Sequence, residues 1–241
     1  MNIIITMAGL GSRFRKAGYE MPKYMIKARG KTLFEWSMDS LLGYHGHVSK
    51  YVFVVRREDG AADFIREQSR RYGIQQVEVV EIDHMTDGQA TTCMLAIPFC
   101  NPEESVLIYN IDTYVEPYEM KYEDLAGDGH IPCFHAKGDH WSFARLDAEG
   151  RVTEVREKVR ISDNCTLGAY YFSSAELYQR MYEEYYADDS RMEKNEKYIA
   201  PLYNYMIEKG RSVTISLVDE RKVHVLGTPE ELQEFLEGEA G

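Results

Sequence analysis

The sequence lacks any apolar run close to the roughly 20 residues that a helix needs to cross a bilayer. Its first residues, Met1 to Thr6, carry neither the basic start nor the small-residue cleavage site of a secretory signal. These two absences argue against a membrane-anchored or exported protein. We therefore expect a cytoplasmic protein that has no membrane partner.

Cysteine and positive charge are also scarce. The four cysteines are scattered and form no C-x-x-C pair, so we expect reduced structural thiols rather than a metal or redox site. With 28 Lys and Arg against 40 Asp and Glu, the formal net charge is −12. Nucleic-acid binding needs a stripe of basic residues, and the excess of acidic residues argues against one. A small anionic ligand remains compatible, because a few local cations and backbone N–H groups can bind it.

The first half of the chain alternates between strand and helix patterns. Apolar runs typical of strands buried in a parallel sheet occupy positions 2–7, 51–55, 77–80 and 105–109. Helical patterns separate them, at about positions 34–42, 61–72 and 89–97. This rhythm predicts a Rossmann-like α/β fold, with a mainly parallel sheet and right-handed crossovers.

After Asp112 the rhythm changes to short strands with short connections. Strands are predicted at 131–135, 141–146, 152–155, 167–172, 213–218 and 222–225, and helices at 175–186 and 198–209. The charged stretch 188–197 is predicted to be an exposed, mobile loop. Thr228, Pro229 and Glu231 predict a capping box at the start of a last helix. We therefore expect a single domain, 1–241, with a nucleotide-binding half (1–115) and an acceptor-binding half (116–241).

A glycine-rich loop follows the first predicted strand and reads Met7-Ala8-Gly9-Leu10-Gly11-Ser12-Arg13. Two glycines allow a sharp turn that brings backbone N–H groups against phosphate oxygens, although a purely structural turn is equally compatible. A dinucleotide fingerprint requires Gly or Ala at the position of Phe14, and a P-loop requires a Gly-Lys-Ser/Thr ending. The loop has neither, but Arg13 and Lys23 supply two cations that suit a triphosphate.

Several motifs in order resemble one family. The chain reads Gly9-Leu10-Gly11-Ser12-Arg13, then Pro22-Lys23, then Gly30-Lys31-Thr32-Leu33, and near its end Gly227-Thr228-Pro229. This series resembles the sugar-phosphate nucleotidyltransferases, also called nucleotide-sugar pyrophosphorylases, and the related small cytidylyltransferases. The resemblance implies a mixed, mainly parallel sheet flanked by helices in a GT-A-like nucleotidyltransferase fold.

The same resemblance implies roles for individual residues. Asp112 is expected to bind Mg²⁺, a hard cation that prefers oxygen ligands. Arg13, Lys23, Asp112 and Lys158 are the expected catalytic residues. The expected nucleotide-binding residues are Met7, Ala8, Gly9, Leu10, Gly11, Ser12, Arg13, Lys23, Gly88, Gln89 and Ala90. The expected acceptor-binding residues are Glu157, Lys158 and Gly168.

One position departs from the family pattern. Many members carry an acidic residue two positions before the last glycine of the motif series, and it completes the metal site. Here that position is Val225. Either Asp112 holds the metal together with phosphates and water, or another group such as Asp219 substitutes, or the activity has changed.

The function implied is transfer of a nucleoside monophosphate from an NTP to a sugar-1-phosphate or a similar small phosphate acceptor, with release of pyrophosphate. The alternative within the class is a CTP-dependent cytidylyltransferase that acts on a non-sugar phosphate. From other classes, a nucleotide-sugar-dependent glycosyltransferase and a non-catalytic nucleotide-binding regulator remain. The resemblance suggests polysaccharide biosynthesis as the setting, and the sequence leaves the base, the acceptor and the oligomeric state open.

Overall fold

The computed structural model describes residues 1–238. Within them the strands are β1 (Asn2–Thr6), β2 (Lys27–Ala28), β3 (Lys31–Thr32), β4 (Lys50–Arg56), β5 (Val77–Ile82), β6 (Val106–Asn110), β7 (Thr113–Val115), β8 (Gly129–His135), β9 (Ser142–Leu146), β10 (Val152–Glu157), β11 (Asn164–Thr166), β12 (Ala169–Phe172), β13 (Val213–Leu217) and β14 (Val223–Val225). The α-helices are α1 (Ser12–Lys16), α2 (Leu33–Asp39), α3 (Ala62–Arg71), α4 (Gln89–Met94), α5 (Ala175–Tyr185), α6 (Ala200–Glu208) and α7 (Pro229–Glu237).

A ten-stranded sheet runs through both halves of the chain. Its order is β10-β9-β11-β8-β12-β6-β1-β4-β5, and β13 pairs with β8. Strands β1, β4, β5 and β6 are mutually parallel, whereas β12 pairs antiparallel with β6 and opens the mixed half of the sheet. The predicted Rossmann-like, mainly parallel fold is confirmed for the first half. The predicted short strands of the second half join the same sheet, except β14, which pairs with β7 in a separate two-stranded sheet.

The apolar run in β1 packs on both faces of this sheet. Ile4 contributes to a core on one face, while Ile3 and Ile5 contribute to a core on the other. All three side chains are fully buried. Burial on both faces explains why this strand is a continuous apolar run rather than an alternating one.

The strand order indicates where a ligand would bind. From β1 the chain moves to β4 and β5 on one side, and then crosses back to β6 on the other side of β1. In open α/β sheets, a crevice forms beyond the carboxyl ends of the strands at such a reversal. The glycine-rich loop follows β1 and Asp112 follows β6, so both lie at this edge.

Two predicted local features differ in the structure. The helix predicted for 89–97 ends at Met94 and gives way to a 3₁₀ turn that contains Pro98. At α7 the Thr228 hydroxyl accepts a hydrogen bond from the Glu231 N–H at 3.1 Å. Among the described residues, however, the Glu231 carboxylate makes no return bond, so the predicted capping box is only half formed.

None of the helices in residues 1–238 is both long enough and apolar enough to span a membrane.

Candidate functional site

A cavity of about 590 Å³ lies at the carboxyl edge of the parallel strands. This volume falls in the range of small-molecule binding sites. Its walls are formed by residues 6–15, 21–24, 85–89 and 110–112, together with Asp59, Thr92, Asn195, Glu196 and Gly227. Every predicted nucleotide-binding residue lines it except Ala90, and so does the predicted metal ligand Asp112.

The glycine-rich loop forms the floor of the cavity. The N–H of Met7 donates to the Val54 carbonyl at 2.8 Å and extends the β1–β4 pairing into the loop. Gly11 then adopts the left-handed conformation (φ 60°) that ends the loop and starts α1. No protein atom lies within 4 Å of the place where a side chain of Gly9 would begin. The missing side chain therefore keeps this part of the loop accessible to a ligand.

A lysine and an aspartate are in contact at the cavity lining. The Lys23 Nζ lies 3.3 Å from the Asp112 Oδ2, with side-chain exposures of 16% and 40%. Lys23 begins a 3₁₀ turn after Pro22, and Asp112 lies between β6 and β7. Arg13 lies on the exposed side of α1 and pairs with no carboxylate among residues 1–238. Two cations and one carboxylate thus converge beside the glycine-rich loop.

The sequence analysis missed a second charged group at this edge. Asp59 follows β4, and its side chain is only 6% exposed. It accepts a hydrogen bond from the Tyr24 hydroxyl at 3.1 Å and lies 3.9 Å from the Arg15 Nη2. Burial and the neighbouring charge of Asp59 raise the pKa of Tyr24 well above its ordinary value. The available signal was positional, because Asp59 follows a parallel strand adjacent to β1.

Gln89 and Ala90 have different roles in the structure. The Gln89 Nε2 donates to the Thr6 Oγ1 at 3.1 Å and to the Asn110 Oδ1, which joins the ends of β1 and β6. Ala90 is fully buried in the core beneath the cavity. Ala90 is thus the one predicted nucleotide-binding residue outside the cavity lining, because the second residue of α4 points its side chain inward.

The segment 193–198 forms the wall beside Gly88. The Lys197 N–H donates to the Asp87 carbonyl at 2.7 Å, and its own carbonyl accepts from the Ala90 N–H at 3.0 Å. A Cβ at Gly88 would lie 2.4 Å from that Lys197 carbonyl oxygen, so a glycine is required here. The Lys197 Nζ contacts the Asp87 Oδ2 at 2.9 Å, and this hydrogen bond raises the pKa of Lys197.

The end of the charged stretch 188–197 is thus not the free loop that its composition predicted. Its residues 188–190 and 194–196 are exposed as expected. However, Lys194 and Asn195 both adopt positive φ, and a bridge joins Glu193 to Glu196. This tight turn carries Asn195 and Glu196 into the cavity wall. Backbone hydrogen bonds that composition does not encode fix its position.

The predicted acceptor-binding residues lie outside the lining of this cavity. The Lys158 Nζ is 3.1 Å from the Glu157 Oε1 and packs over the Tyr198 ring. Burial lowers the pKa of Lys158, but its interactions with Glu157 and Tyr198 together outweigh this effect and raise the pKa. Lys158 also has a left-handed backbone (φ 53°), which is uncommon for residues other than glycine. Gly168 lies behind Asn110, where a Cβ would be 2.7 Å from the asparagine amide nitrogen.

The region around Val225 contains a carboxylate that was not expected. Val225 is half-buried and pairs with Thr113 between β14 and β7. Asp219 caps a turn and binds Arg221, and it is not among the residues that line the cavity, so the structure does not support it as a substitute metal ligand. Instead, a Cβ at Gly227 would lie 3.3 Å from the Glu231 Oε2 and 3.5 Å from the Asp112 Oδ2.

A metal bound here would have few protein ligands. Within residues 1–238, no three His, Cys, Asp or Glu side chains are grouped so as to hold a metal ion. Mg²⁺ commonly binds one or two carboxylates and keeps water and substrate phosphates as its other ligands. The donor chemistry of Asp112 beside the glycine-rich loop fits that pattern.

No protein-family model and no curated protein sequence matches the chain. Among solved structures, the nucleoside-diphosphate-sugar pyrophosphorylase from Vibrio cholerae RC9 is 37% identical, with a TM-score of 0.90 over 99% of this chain and 100% of that one.

Two more distant structures share the fold. The inositol-1-phosphate CTP transferase from T. maritima is 17% identical, with a TM-score of 0.75 over 100% of this chain and 98% of that one. The CTP:phosphocholine cytidylyltransferase from Streptococcus pneumoniae is 16% identical, also with a TM-score of 0.75, over 98% and 97%.

The Vibrio relative covers the whole chain at substantial identity, and the predicted motifs surround one cavity at the expected edge of the sheet. The chain therefore belongs to the nucleoside-diphosphate-sugar pyrophosphorylase family, and it is an enzyme that transfers a nucleoside monophosphate from an NTP to a phosphate acceptor.

Proposed function

We propose that the acceptor is a sugar-1-phosphate or a similar small phosphate, that pyrophosphate is released, and that Mg²⁺ is the cofactor. The observation that carries this proposal is the pair formed by Lys23 and Asp112, whose charged atoms are 3.3 Å apart beside the glycine-rich loop. The product would be an activated sugar of the kind used in polysaccharide biosynthesis, formed in the cytoplasm where NTPs are available.

The reaction is an in-line displacement at the α-phosphorus of the NTP. An oxygen of the acceptor phosphate forms a new bond to that phosphorus, while the bond to the bridging oxygen of the β-phosphate breaks and pyrophosphate leaves. An ionised acceptor phosphate needs no general base, and no covalent enzyme intermediate forms. The protein contributes positioning and charge stabilisation, as in other phosphoryl-type transfers.

Three cations are placed to receive the triphosphate. Lys23 reaches into the cavity from one side, and Arg13 and Arg15 line it from α1. Negative charge accumulates on the leaving pyrophosphate, and preorganised donors at that place stabilise the transition state more than the bound substrate. Backbone N–H groups of the loop from Ala8 to Gly11 would bind the phosphates from below.

The residues present fit a divalent cation at Asp112. Its carboxylate is 40% exposed, lines the cavity and lies beside the space that Gly227 leaves free of a side chain. The chemistry that bound Mg²⁺ supplies is neutralisation of phosphate charge on the NTP. Asp112 would hold the ion through a carboxylate oxygen, and Lys23 keeps the carboxylate oriented when no ion is present.

Lys158 is proposed to bind the acceptor phosphate. Its hydrogen bond to Glu157 keeps the pKa raised, so the side chain stays cationic at physiological pH. Its left-handed backbone implies that the surrounding structure maintains a specific side-chain direction. Asn195 and Glu196, at the far wall of the cavity, are placed to contact the rest of the acceptor.

The test is pyrophosphate release from CTP, UTP, dTTP, ATP and GTP with Mg²⁺ and a panel of phosphorylated acceptors. We expect release that requires one NTP together with one sugar-1-phosphate. CTP with phosphocholine or inositol-1-phosphate would establish the cytidylyltransferase alternative instead. Release of a nucleoside diphosphate from a nucleotide sugar, with no release of pyrophosphate from any NTP, would identify a glycosyltransferase.

A further inference from the structure

Glu231 occupies the same position in helix α7 that Glu35 occupies in α2, but its side chain behaves differently. Both residues lie three positions after an N-cap threonine. The Glu35 Oε2 accepts hydrogen bonds from the Thr32 N–H at 2.7 Å and from its hydroxyl at 2.8 Å. Glu231 makes no such bond to Thr228 within the described residues. Its carboxylate is therefore free for another contact.

The freed carboxylate oxygen is buried without a partner. The Glu231 Oε2 has almost no contact with solvent, and no hydrogen-bond donor among residues 1–238 reaches it. No lysine, arginine or histidine of those residues forms an ion pair with Glu231. Burying an unpaired carboxylate oxygen is unfavourable, so such an atom points to a ligand that compensates it.

Gly227 shows where that ligand would lie. The space that its missing side chain leaves is bordered by the Glu231 Oε2 and the Asp112 Oδ2, at 3.3 Å and 3.5 Å from the position of a Cβ. The two oxygens are thus separated by no more than the sum of these distances. Two carboxylates this close repel each other unless a cation neutralises them.

Lys23 accounts for only one of the two carboxylates. Its Nζ contacts the Asp112 Oδ2 at 3.3 Å, while Glu231 stays unpaired. Val225 has no ligand atom, although it precedes Gly227 by the spacing at which the family pattern has an acid. The helix that follows Gly227 instead places the Glu231 carboxylate beside Gly227.

We propose that Glu231 is the second carboxylate of the divalent-cation site, facing Asp112 across Gly227. This assignment rests on the proposed function, in which Asp112 binds Mg²⁺. Two carboxylates suffice for an ion that takes its remaining ligands from water and substrate phosphates. The acidic group of the metal site is then present at Glu231, six residues after Val225, and has not been lost.

The experiment measures binding of Mn²⁺ alone to the full chain, by the loss of the free-ion signal in electron paramagnetic resonance. We expect Glu231→Gln to weaken Mn²⁺ binding about tenfold or more, since even the loss of a group that only supports a metal ligand typically costs 10–100-fold. Asp112→Asn should weaken it at least as much. Glu230→Gln is the matched control, because Glu230 is exposed one position earlier on the same helix and should bind Mn²⁺ as the wild type does.

A structural role for Glu231 predicts a different pattern. Thr228→Ala removes the helix cap and should lower the melting temperature with Mn²⁺ affinity unchanged. If Glu231→Gln behaves like Thr228→Ala, the proposal is overturned. If Glu231→Gln fails to fold, Gly227→Ala replaces it: a methyl group 3.3–3.5 Å from both oxygens should also weaken Mn²⁺ binding, and unchanged affinity contradicts the proposal.

The variants also distinguish the role of Glu231 from that of Asp112. Weakened Mn²⁺ binding in Asp112→Asn with none in Glu231→Gln overturns the role of Glu231 and leaves the metal at Asp112 intact. No weakening in either variant overturns the metal site itself. Pyrophosphate release by the wild-type chain tests the reaction independently of both.

Discussion

Replacing Lys23 by alanine tests the proposed stabilisation of pyrophosphate most directly. The side chain is only 16% exposed, and its Nζ is directed into the cavity toward Asp112. Losing one preorganised charge contact of this kind costs about 3 kcal/mol of transition-state stabilisation. That corresponds to a fall in turnover on the order of 100-fold.

The stability of the fold should change far less than the rate. The partner Asp112 is 40% exposed and becomes hydrated when the lysine is removed. Ion pairs with such exposure contribute less than about 1 kcal/mol. Lys23→Ala should therefore unfold at nearly the wild-type urea concentration, and a large loss of stability would show that Lys23 is a structural residue.

The assay compares kcat for pyrophosphate release in wild type, Lys23→Ala, Lys23→Arg and Lys27→Ala. Lys27 is an exposed lysine four residues away that does not line the cavity, so its variant should retain wild-type turnover. Lys23→Arg keeps the charge and should restore part of the rate. Turnover of Lys23→Ala within a few-fold of wild type would refute the assignment of Lys23 to catalysis.

The remaining predictions concern three other positions. Gly88→Ala should raise the KM for the NTP and lower the stability of the fold by about 1–3 kcal/mol, because the new Cβ would lie 2.4 Å from the Lys197 carbonyl oxygen. Gly150→Ala is the control: this glycine has open space around it, so the KM should not change. Asp59→Asn should raise the KM for the NTP about tenfold by releasing Arg15, and an unchanged KM would remove both residues from the site. Burial lowers the pKa of His130 to about 4, so only the unfolded chain takes up a proton there as the pH falls below about 6.5. Stability should therefore fall by about 2–3 kcal/mol between pH 6.5 and pH 4, and His130→Gln should lack this part of the pH dependence in urea titrations.

Much of the fold was predictable because its signals are local. The continuous apolar run of β1 predicted a strand buried on both faces, and Ile3, Ile4 and Ile5 are fully buried. The alternation of strands and helices predicted parallel pairing, which the structure confirms for β1, β4 and β6. The end of the helix predicted for 89–97 was less accurate, because that pattern also fits a 3₁₀ turn.

The other differences involve contacts between distant parts of the chain. Ala90 was assigned to the nucleotide site, but packing turns its side chain into the core. The stretch 188–197 was predicted to be a mobile loop, but the backbone of Lys197 at its end is bonded to residues about a hundred positions earlier, at Asp87 and Ala90. Asp59 was overlooked because nothing next to it in the sequence indicates a ligand.

The sequence by itself determined the chemical groups and the local backbone that presents them: a turn at Gly9 and Gly11, cations at Arg13 and Lys23, and a carboxylate at Asp112 after a buried strand. Tertiary structure decided which of these groups meet. Lys23 and Asp112 are 89 residues apart, and the order of β6, β1 and β4 brings their charged atoms within 3.3 Å. The sequence also did not predict that the Glu231 carboxylate leaves its cap and lies near Asp112. Short-range propensities specify turns and elements, whereas the distance between remote side chains depends on strand order and packing across the whole sheet.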